Sequence, residues 1–175
     1  MRRRICLVAA LCVIPLASGV AASAAKTKTK TKSTKAKPTT VYCRTAVGLM
    51  IPAGQTEITP PASQGDEWGT ASCGKLGKGA QGDNFTVVDS GDSVGKFTWY
   101  LSTGTVSGTF DLTPQEGSLG SGFASVTYLG TLKVTGATGT LVGVKGTGTM
   151  NCSSPDSIHT SCTDKLKLTD KTGTL

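Results

Sequence analysis

The sequence has few of the residues that build metal sites, nucleotide sites or long helices. It contains one histidine, and aromatic residues make up 5% of its 175 residues. No segment of the part after residue 40 repeats its apolar residues at the helical period, and the 23 glycines recur too often for long helices. We therefore expect an all-β protein with no bound metal and no cofactor.

One glycine-rich run, "VTGATGTLVGVKGTGT" at residues 134–149, is where a nucleotide site would be sought. A phosphate loop needs Gly-Lys-Ser/Thr at a fixed distance from its first glycine, but Gly139 is followed by Gly143, which is the wrong spacing. The dinucleotide pattern fails as well, because Asn151 stands where its third glycine belongs. The glycines therefore predict a hairpin between two strands.

Residues 1–24 have the pattern of a secretion signal. Arg2 to Arg4 are positive, Ile5 to Leu16 form an apolar run too short to span a bilayer comfortably, and Ala22 to Ala24 offer a small-residue cleavage site. We expect this segment to be removed on export, which leaves a secreted protein of the extracellular space or cell envelope with no transmembrane span. The alternative is an uncleaved membrane anchor.

Residues 25–40 form an arm rich in lysine and threonine that has no large apolar residue, so we expect it to be disordered. One interpretation is a soluble spacer. The other is that the arm binds anionic polymers of the envelope through its lysines. These lysines are Lys26, Lys28, Lys30, Lys32, Lys35 and Lys37.

The basic character of the chain belongs to its first 40 residues. The formal net charge is +7, but residues 41–175 contain nine basic and all 11 acidic residues, which leaves a net charge of −2 there. Recognition of nucleic acid needs a basic surface on the folded domain, preferably with stacking aromatic side chains. We therefore expect no nucleic-acid partner.

Four cysteines follow the signal, and an even number in a secreted chain predicts two disulfides with three possible pairings. We favour Cys43 with Cys73 and Cys152 with Cys162, because both bonds then close short loops. A zinc site is the alternative, although neither pair has the spacing of a zinc knuckle.

Period-two alternation, typical of strands buried on one side, occurs at residues 96–102, 105–113, 125–136 and 142–150. Weaker strand candidates are residues 41–47, 70–76, 84–89 and 164–169. Together they predict a single domain at residues 41–175, an antiparallel β-barrel of about eight strands, with a β-sandwich as the alternative. Glycines inside the strands favour the barrel, because they permit the tight coiling that a small barrel needs.

The segment "YLGTLKVTGATGTLVGVKGTGTM", residues 128–150, resembles the hairpin of the allene oxide cyclase-like and dirigent-like β-barrels. In those families a Gly-Gly-Thr-Gly-type turn precedes an aromatic-x-Gly-x-x-Gly strand. The turn here is at residues 136–139, and Leu141 stands where an aromatic or basic residue is commoner. "TGTVSGTFDLT", residues 103–113, resembles the preceding strand of secreted bacterial members. The resemblance implies a barrel whose interior binds an apolar or phenolic molecule.

Aromatic residues on the alternating strands are candidates first for the core and then for the lining of a ligand pocket. They are Phe97, Trp99, Phe110 and Tyr128. Asp111 is a weak catalytic candidate: inside an apolar barrel its carboxyl would suit acid–base chemistry, and on the outer face it is an ordinary exposed residue.

The other polar candidates have plain structural interpretations. His159 lies in a serine-rich loop, where we expect an exposed histidine and not a member of a catalytic triad. Asp83, Asp89 and Asp92 fit turns better than a calcium site, because their spacing matches no calcium loop. Trp68 is expected to guard or cap the mouth of the barrel.

The sequence thus favours a non-catalytic binding or scaffold protein. The first alternative is an isomerase- or cyclase-like enzyme that confines an apolar substrate and uses an interior carboxylate. In the second alternative, the arm binds a surface and the barrel is only its stable head.

Overall fold

The structure is a computed structural model that describes residues 37–50, 64–115, 125–170, 172–173 and 175. They form a closed barrel of eight antiparallel strands, each paired with its sequence neighbours, and the last strand pairs with the first. The strands are β1 (Thr39–Leu49), β2 (Gln64–Ser72), β3 (Lys78–Val87), β4 (Ser93–Leu101), β5 (Gly104–Pro114), β6 (Val126–Ala137), β7 (Lys145–Ser154) and β8 (His159–Thr169). The predicted β-barrel is confirmed, and the sandwich alternative is wrong.

The amino-terminal predictions lie mostly outside the described residues. The predicted signal at residues 1–24 and the predicted arm as far as residue 36 lie outside the described residues. Lys37, the last lysine of the arm, is described and is exposed. β1 begins two residues before the expected start of the domain, because Thr39 and Thr40 pair with Leu168 and Lys167 of β8.

The barrel closes with a large stagger between its strands. A path through paired residues that starts at Thr39 crosses β8, β7 and the other strands in turn, reaches Glu67 of β2 and returns to β1 at Leu49. The difference between positions 39 and 49 is a stagger of ten residues, which requires the strands to tilt against the barrel axis. Eight strands enclose an interior that side chains fill or that holds one small ligand.

Glycines on the inward face allow neighbouring strands to approach closely. A Cβ atom built at Gly108 would lie 2.0 Å from the carbonyl oxygen of Lys133, and one at Gly69 would lie 1.9 Å from that of Ala46. Gly146, in the run that resembles a nucleotide loop, would meet the oxygen of Lys167 at 2.1 Å. The interior glycines therefore serve the coiling of the barrel.

The two ends of the barrel differ in their connections. At one end, the 3₁₀ turns Gly74–Leu76 and Gly139–Leu141 follow β2 and β6, and each buries one leucine in the core. At the other end lie the connections after β1, β3, β5 and β7, which we call the loop end. Residues 51–63 and 116–124, which follow β1 and β5 in the sequence, lie outside the described residues.

The 3₁₀ turns correct two of the strand predictions. The candidate strand at residues 70–76 ends at Ser72, because positive φ angles at Gly74 and Gly77 reverse the chain. The expected alternation from residue 142 fails at its start: Val142 is exposed, whereas Leu141 and Val144 are both buried, since the second turn precedes β7.

Both disulfides have the favoured pairing, so the zinc interpretation is wrong. Cys152 and Cys162 lie directly opposite each other in β7 and β8, and Cys43 of β1 bonds to Cys73, the residue after β2. All four cysteines are buried. Closing loops of these lengths stabilises the fold by roughly 4 kcal/mol for the first bond and 3 kcal/mol for the second in the chain-entropy description.

Candidate functional site

The inward face of the barrel is polar on one side. β8, β1, β2 and β3 are consecutive around the barrel and contribute inward polar residues, five of which we call the carboxyl wall. These are Asp164, Thr45, Glu67, Gln81 and Asp83. The inward residues of β4 to β7 are largely apolar or aromatic and include Phe97, Trp99, Phe110, Leu132 and Met150. The interior therefore combines an apolar side with a concentration of carboxyl groups.

A directed chain of hydrogen bonds orders one part of the carboxyl wall. The indole Nε1 of Trp99 donates to Oε1 of Gln81 at 2.9 Å, and Nε2 of Gln81 donates to Oδ2 of Asp83. Because an indole N–H only donates, the amide oxygen of Gln81 must face Trp99 and its NH₂ group must face Asp83. Asp83 is thereby held in place as an acceptor.

Glu67 and Asp83 are directly paired across β2 and β3 and act as one ionisable unit. Burial raises the pKa of Glu67 to about 8, and repulsion from Asp83 and a hydrogen bond with it add to the rise. Burial also raises the pKa of Asp83, against the hydrogen bonds from Gln81 and Glu67 that lower it. The two carboxyl groups therefore oppose each other's ionisation, and Glu67 keeps its proton at neutral pH.

Asp164 is the most unusual group of the interior. Its side chain is fully buried, and neither carboxyl oxygen has a hydrogen-bond partner among the described residues. Its paired neighbours are Cys43, which is in a disulfide, and Met150. Burial raises the pKa of Asp164 to about 7. Buried polar groups are nearly always hydrogen-bonded, so an unpaired carboxyl in an apolar setting calls for a functional explanation.

Two hydroxyl groups of the interior are also buried without a hydrogen-bond partner. Oγ1 of Thr45 and Oγ of Ser154 are buried and have no partner in the part of the chain that the structure describes. Thr45 is two residues along β1 from Cys43, the residue paired with Asp164, so Thr45 and Asp164 are diagonal neighbours on the inward face. Thr45 and Asp164 thus form a small group of unpaired polar side chains, in which the carboxylate accepts and the hydroxyl can donate or accept.

The predicted pocket residues all face inward. Phe97, Trp99 and Phe110 are buried, and the ring centroids of Phe97 and Trp99 are 4.7 Å apart. Tyr128 is partly buried and packs against the core. Burial raises the pKa of Tyr128, and repulsion from the charge of Glu67 adds to the rise.

For Asp111 the structure bears out the exposed alternative, whereas for Asp83 the turn interpretation is wrong. Asp111 lies on the outer face of β5 and is exposed, because its neighbours Phe110 and Leu112 occupy the inward positions. Its proposed catalytic role therefore has no structural basis. Asp83 does not lie in a turn: it is inside β3 and faces inward, whereas Asp89 and Asp92 do lie in the connection between β3 and β4.

His159 is exposed as predicted, at the first position of β8. Its Nδ1 lies 2.7 Å from Oδ2 of Asp156, and the backbone N–H groups of Ile158 and His159 donate to Oδ1 of the same carboxylate. These bonds to His159 and Ile158 lower the pKa of Asp156 to about 2. The arrangement organises the tight connection between β7 and β8.

Trp68 lies on the outer face of β2, and so does not cap the mouth as expected. Its ring covers Gly82 of β3, where an added Cβ would lie 3.0 Å from the ring, and it stacks on Tyr100 of β4 with centroids 6.0 Å apart. Both rings are about half exposed.

Sequence reasoning missed Glu67, Gln81 and Asp164. The signal for Asp164 was present, because residues 164, 166 and 168 alternate with lysines and share the inward face with Leu166 and Leu168. Glu67 is likewise in phase with Ala71 and Cys73. In both strands the alternation predicts an inward carboxyl group. Carboxylates generally face water, so the alternation alone does not predict this burial.

Among the described residues, no group of three or more His, Cys, Asp or Glu side chains is arranged to hold a metal ion. No helix in the ranges that the structure covers is long and apolar enough to cross a membrane. No family model, curated protein or solved structure matches the chain, so the resemblance to allene oxide cyclase-like and dirigent-like barrels stays a prediction.

Proposed function

We propose that the protein is a secreted binding protein whose barrel interior holds one small, largely apolar molecule by a polar group. The observation that carries this proposal is the fully buried carboxyl of Asp164, whose two oxygens have no partner among the described residues. A bound molecule that donates a hydrogen bond would satisfy it, while the aromatic side chains opposite would contact the apolar body. Two buried disulfides suit an oxidising compartment such as the cell envelope or the extracellular space.

Native mass spectrometry of the oxidised protein from its own host tests this function. We expect a protein peak with one additional small mass, which is released on unfolding. The Asp164→Asn variant should lose most of this mass, because an amide cannot replace a carboxylate as a double acceptor. The Asp111→Asn variant, which changes a carboxyl on the outer face, is the matched control and should keep it. Wild-type protein that carries no additional mass under conditions that preserve its fold would contradict the proposal.

A second candidate function is an isomerase- or cyclase-like enzyme that confines an apolar substrate and transfers a proton. The specific observation in its favour is the Glu67–Asp83 pair, in which Glu67 keeps its proton and Gln81 orients Asp83. In such a reaction the Asp83 carboxylate accepts a proton from the carbon next to a carbonyl group, and Glu67 donates its proton to the carbonyl oxygen, which gives an enol. Asp83 then returns its proton to a different carbon of a conjugated enol, while the enol O–H returns its proton to Glu67 and the carbonyl group re-forms, which completes an isomerisation.

Deuterium exchange into a small cyclic ketone, followed by NMR in heavy water, tests this second function. We expect the wild-type protein to accelerate exchange next to the carbonyl group, and Glu67→Gln to reduce the acceleration by about a hundredfold or more, since general acid–base catalysis contributes on that order. Asp111→Asn should exchange like the wild type. Equal exchange by wild type and Glu67→Gln would rule out the proposed proton transfer.

A further inference from the structure

We propose that the ligand of the barrel is an organic cation, with an ammonium group held at Asp164 and Thr45 and an apolar body against the aromatic side of the interior. This inference rests on the proposed binding function and narrows its ligand class.

The charges of the interior have one sign. Three carboxyl groups face inward, at Glu67, Asp83 and Asp164, whereas every lysine and arginine whose side chain the structure describes is exposed. These outward basic residues are Lys37, Arg44, Lys75, Lys78, Lys96, Lys133, Lys145, Lys165 and Lys167. An anionic ligand would be repelled by this interior. A cation would supply the positive charge that the described residues do not provide there.

The unpaired atoms of the wall are acceptors for the donors of an ammonium group. Both oxygens of Asp164, Oγ1 of Thr45 and Oδ1 of Asp83 are buried without a partner among the described residues, and Asp164 and Thr45 are diagonal neighbours on the inward face. A primary ammonium group carries three N–H donors and no acceptor, so it can donate to both carboxyl oxygens of Asp164 and to Oγ1 of Thr45. An alcohol or phenol has a single O–H donor and so supplies fewer hydrogen bonds to these oxygens.

The aromatic residues lie on the side of the barrel where a bound cation would meet them. In a closed barrel of eight strands, β4 is diametrically opposite β8 and β5 is opposite β1. Phe97 and Phe110, the large inward residues near the middle of β4 and β5, therefore lie across the barrel from Asp164 and Thr45. Aromatic faces attract a cation, most strongly where water is excluded. The carboxyl wall and the aromatic side of the interior thus both favour a positively charged ligand.

Binding of a cation should be linked to the release of a proton. In the ligand-free protein, burial raises the pKa of Asp164 to about 7 and that of Glu67 to about 8, so both are largely protonated in mildly acidic solution. The groups that face Asp164 from β1 and β7 are Cys43, which is in a disulfide, and Met150, and neither titrates. A cation at Asp164 favours its ionised form, so affinity should rise with pH up to about 7.

Isothermal titration of the oxidised protein with benzylammonium, benzyl alcohol and benzoate tests the inference, because the three probes share one apolar body and differ in charge. At about pH 7 we expect benzylammonium to bind at least about tenfold more tightly than benzyl alcohol, and benzoate most weakly. Titrations in buffers with different heats of ionisation should show release of up to one proton per benzylammonium in mildly acidic solution. Asp164→Asn should remove the preference for the cation, and Asp111→Asn should retain it.

The outcomes separate this inference from the proposed function. Equal or tighter binding of benzyl alcohol would overturn the cation inference and leave the binding function intact. A preference for benzylammonium that persists in Asp164→Asn would do the same. The absence of binding by all three probes would also overturn the cation inference, while the additional mass in the host-derived protein tests the binding function independently. The ratio of affinities and the proton count need only the wild-type protein, so they decide the question even if Asp164→Asn does not fold.

Discussion

The oxidised protein is expected to be most stable in mildly acidic solution and to lose roughly 4 kcal/mol of unfolding free energy, through Asp164 alone, as the pH rises from about 4 to about 7. The carboxyl of Asp164 has an ordinary pKa of 3.8 when the chain is unfolded, and burial raises it to about 7 in the native state. Between these values the native state keeps the proton and the unfolded state has released it. Each unit of pH therefore lowers the stability by about 1.4 kcal/mol, until the native carboxyl also ionises.

Unfolding by denaturant at a series of fixed pH values measures this effect. Asp164→Asn should show a much flatter dependence between about pH 4 and pH 7, because its side chain does not titrate. The diagnostic quantity is the change of slope, since an asparagine in the same apolar setting has a desolvation cost of its own. Glu67→Gln should remove the part of the decline that extends to about pH 8, where the native Glu67 carboxyl loses its proton.

Asp111→Asn is again the matched control, because this carboxyl is exposed on the outer face of β5. It should follow the wild-type dependence closely. A wild-type stability that rises between about pH 4 and pH 7, or a parallel dependence in wild type and Asp164→Asn, would show that Asp164 is not buried in its acid form.

The second large effect is expected from a single methyl group at Gly108. In Gly108→Ala the Cβ would lie 2.0 Å from the carbonyl oxygen of Lys133 and 2.8 Å from the ring of Phe97. Neither the backbone of β6 nor a buried ring can yield by that distance without a wider rearrangement, and the pairing of β5 with β6 shifts its register between Ser107 and Gly108. We expect a loss of more than about 4 kcal/mol of unfolding free energy, or failure to fold.

Gly48→Ala is the control for this substitution. Gly48 lies in β1, and a Cβ there would meet its nearest atom, on the ring of His159, at 3.6 Å, which is an ordinary contact. Its unfolding free energy should change by less than about 1 kcal/mol. If Gly108→Ala unfolded at the same denaturant concentration as the wild type, the close approach of β5 and β6 would not exist in solution.

Most of the barrel could be predicted from local patterns. The alternation around Phe97, Phe110 and Leu132 identified β4, β5 and β6, because each strand has several large apolar residues in phase. β2 and β3 were less clear, since Gly69, Ala71 and Gly79 stand at inward positions where larger residues would have marked the strand. The 3₁₀ turns after β2 and β6 were missed because their buried leucines continue an apolar pattern that strands also show.

The disulfide pairing was predicted on loop length, and the barrel supplies its physical reason. Cys152 and Cys162 occupy opposite positions in the register of β7 and β8, and their side chains share the inward face. The register depends on the connection between the two strands and on their pairing over ten or so residues, neither of which is read from two cysteines alone.

The inward carboxyl groups of the candidate site could be predicted only in part from the sequence. Alternation states which residues share a face: it placed Asp111 opposite Phe110, and it places Asp164 in phase with Leu166 and Leu168. For Asp111 the large apolar neighbours made the outward direction clear. For Glu67 the neighbouring inward residues, Gly65 and Gly69, are small, so only the closure of the barrel decided that it faces the interior.

The sequence by itself thus predicted the β-structure, a count of about eight strands, two disulfides and the role of the glycines in coiling, because each depends on residues close along the chain or on composition. The tertiary structure alone decided that Asp164, Thr45, Glu67 and Asp83 line one side of a common interior. They come from four strands that are consecutive around the barrel but span positions 45 to 164 of the chain. Such a meeting is fixed by strand order and stagger on closure, which set the neighbours across the barrel and the burial that shifts their protonation.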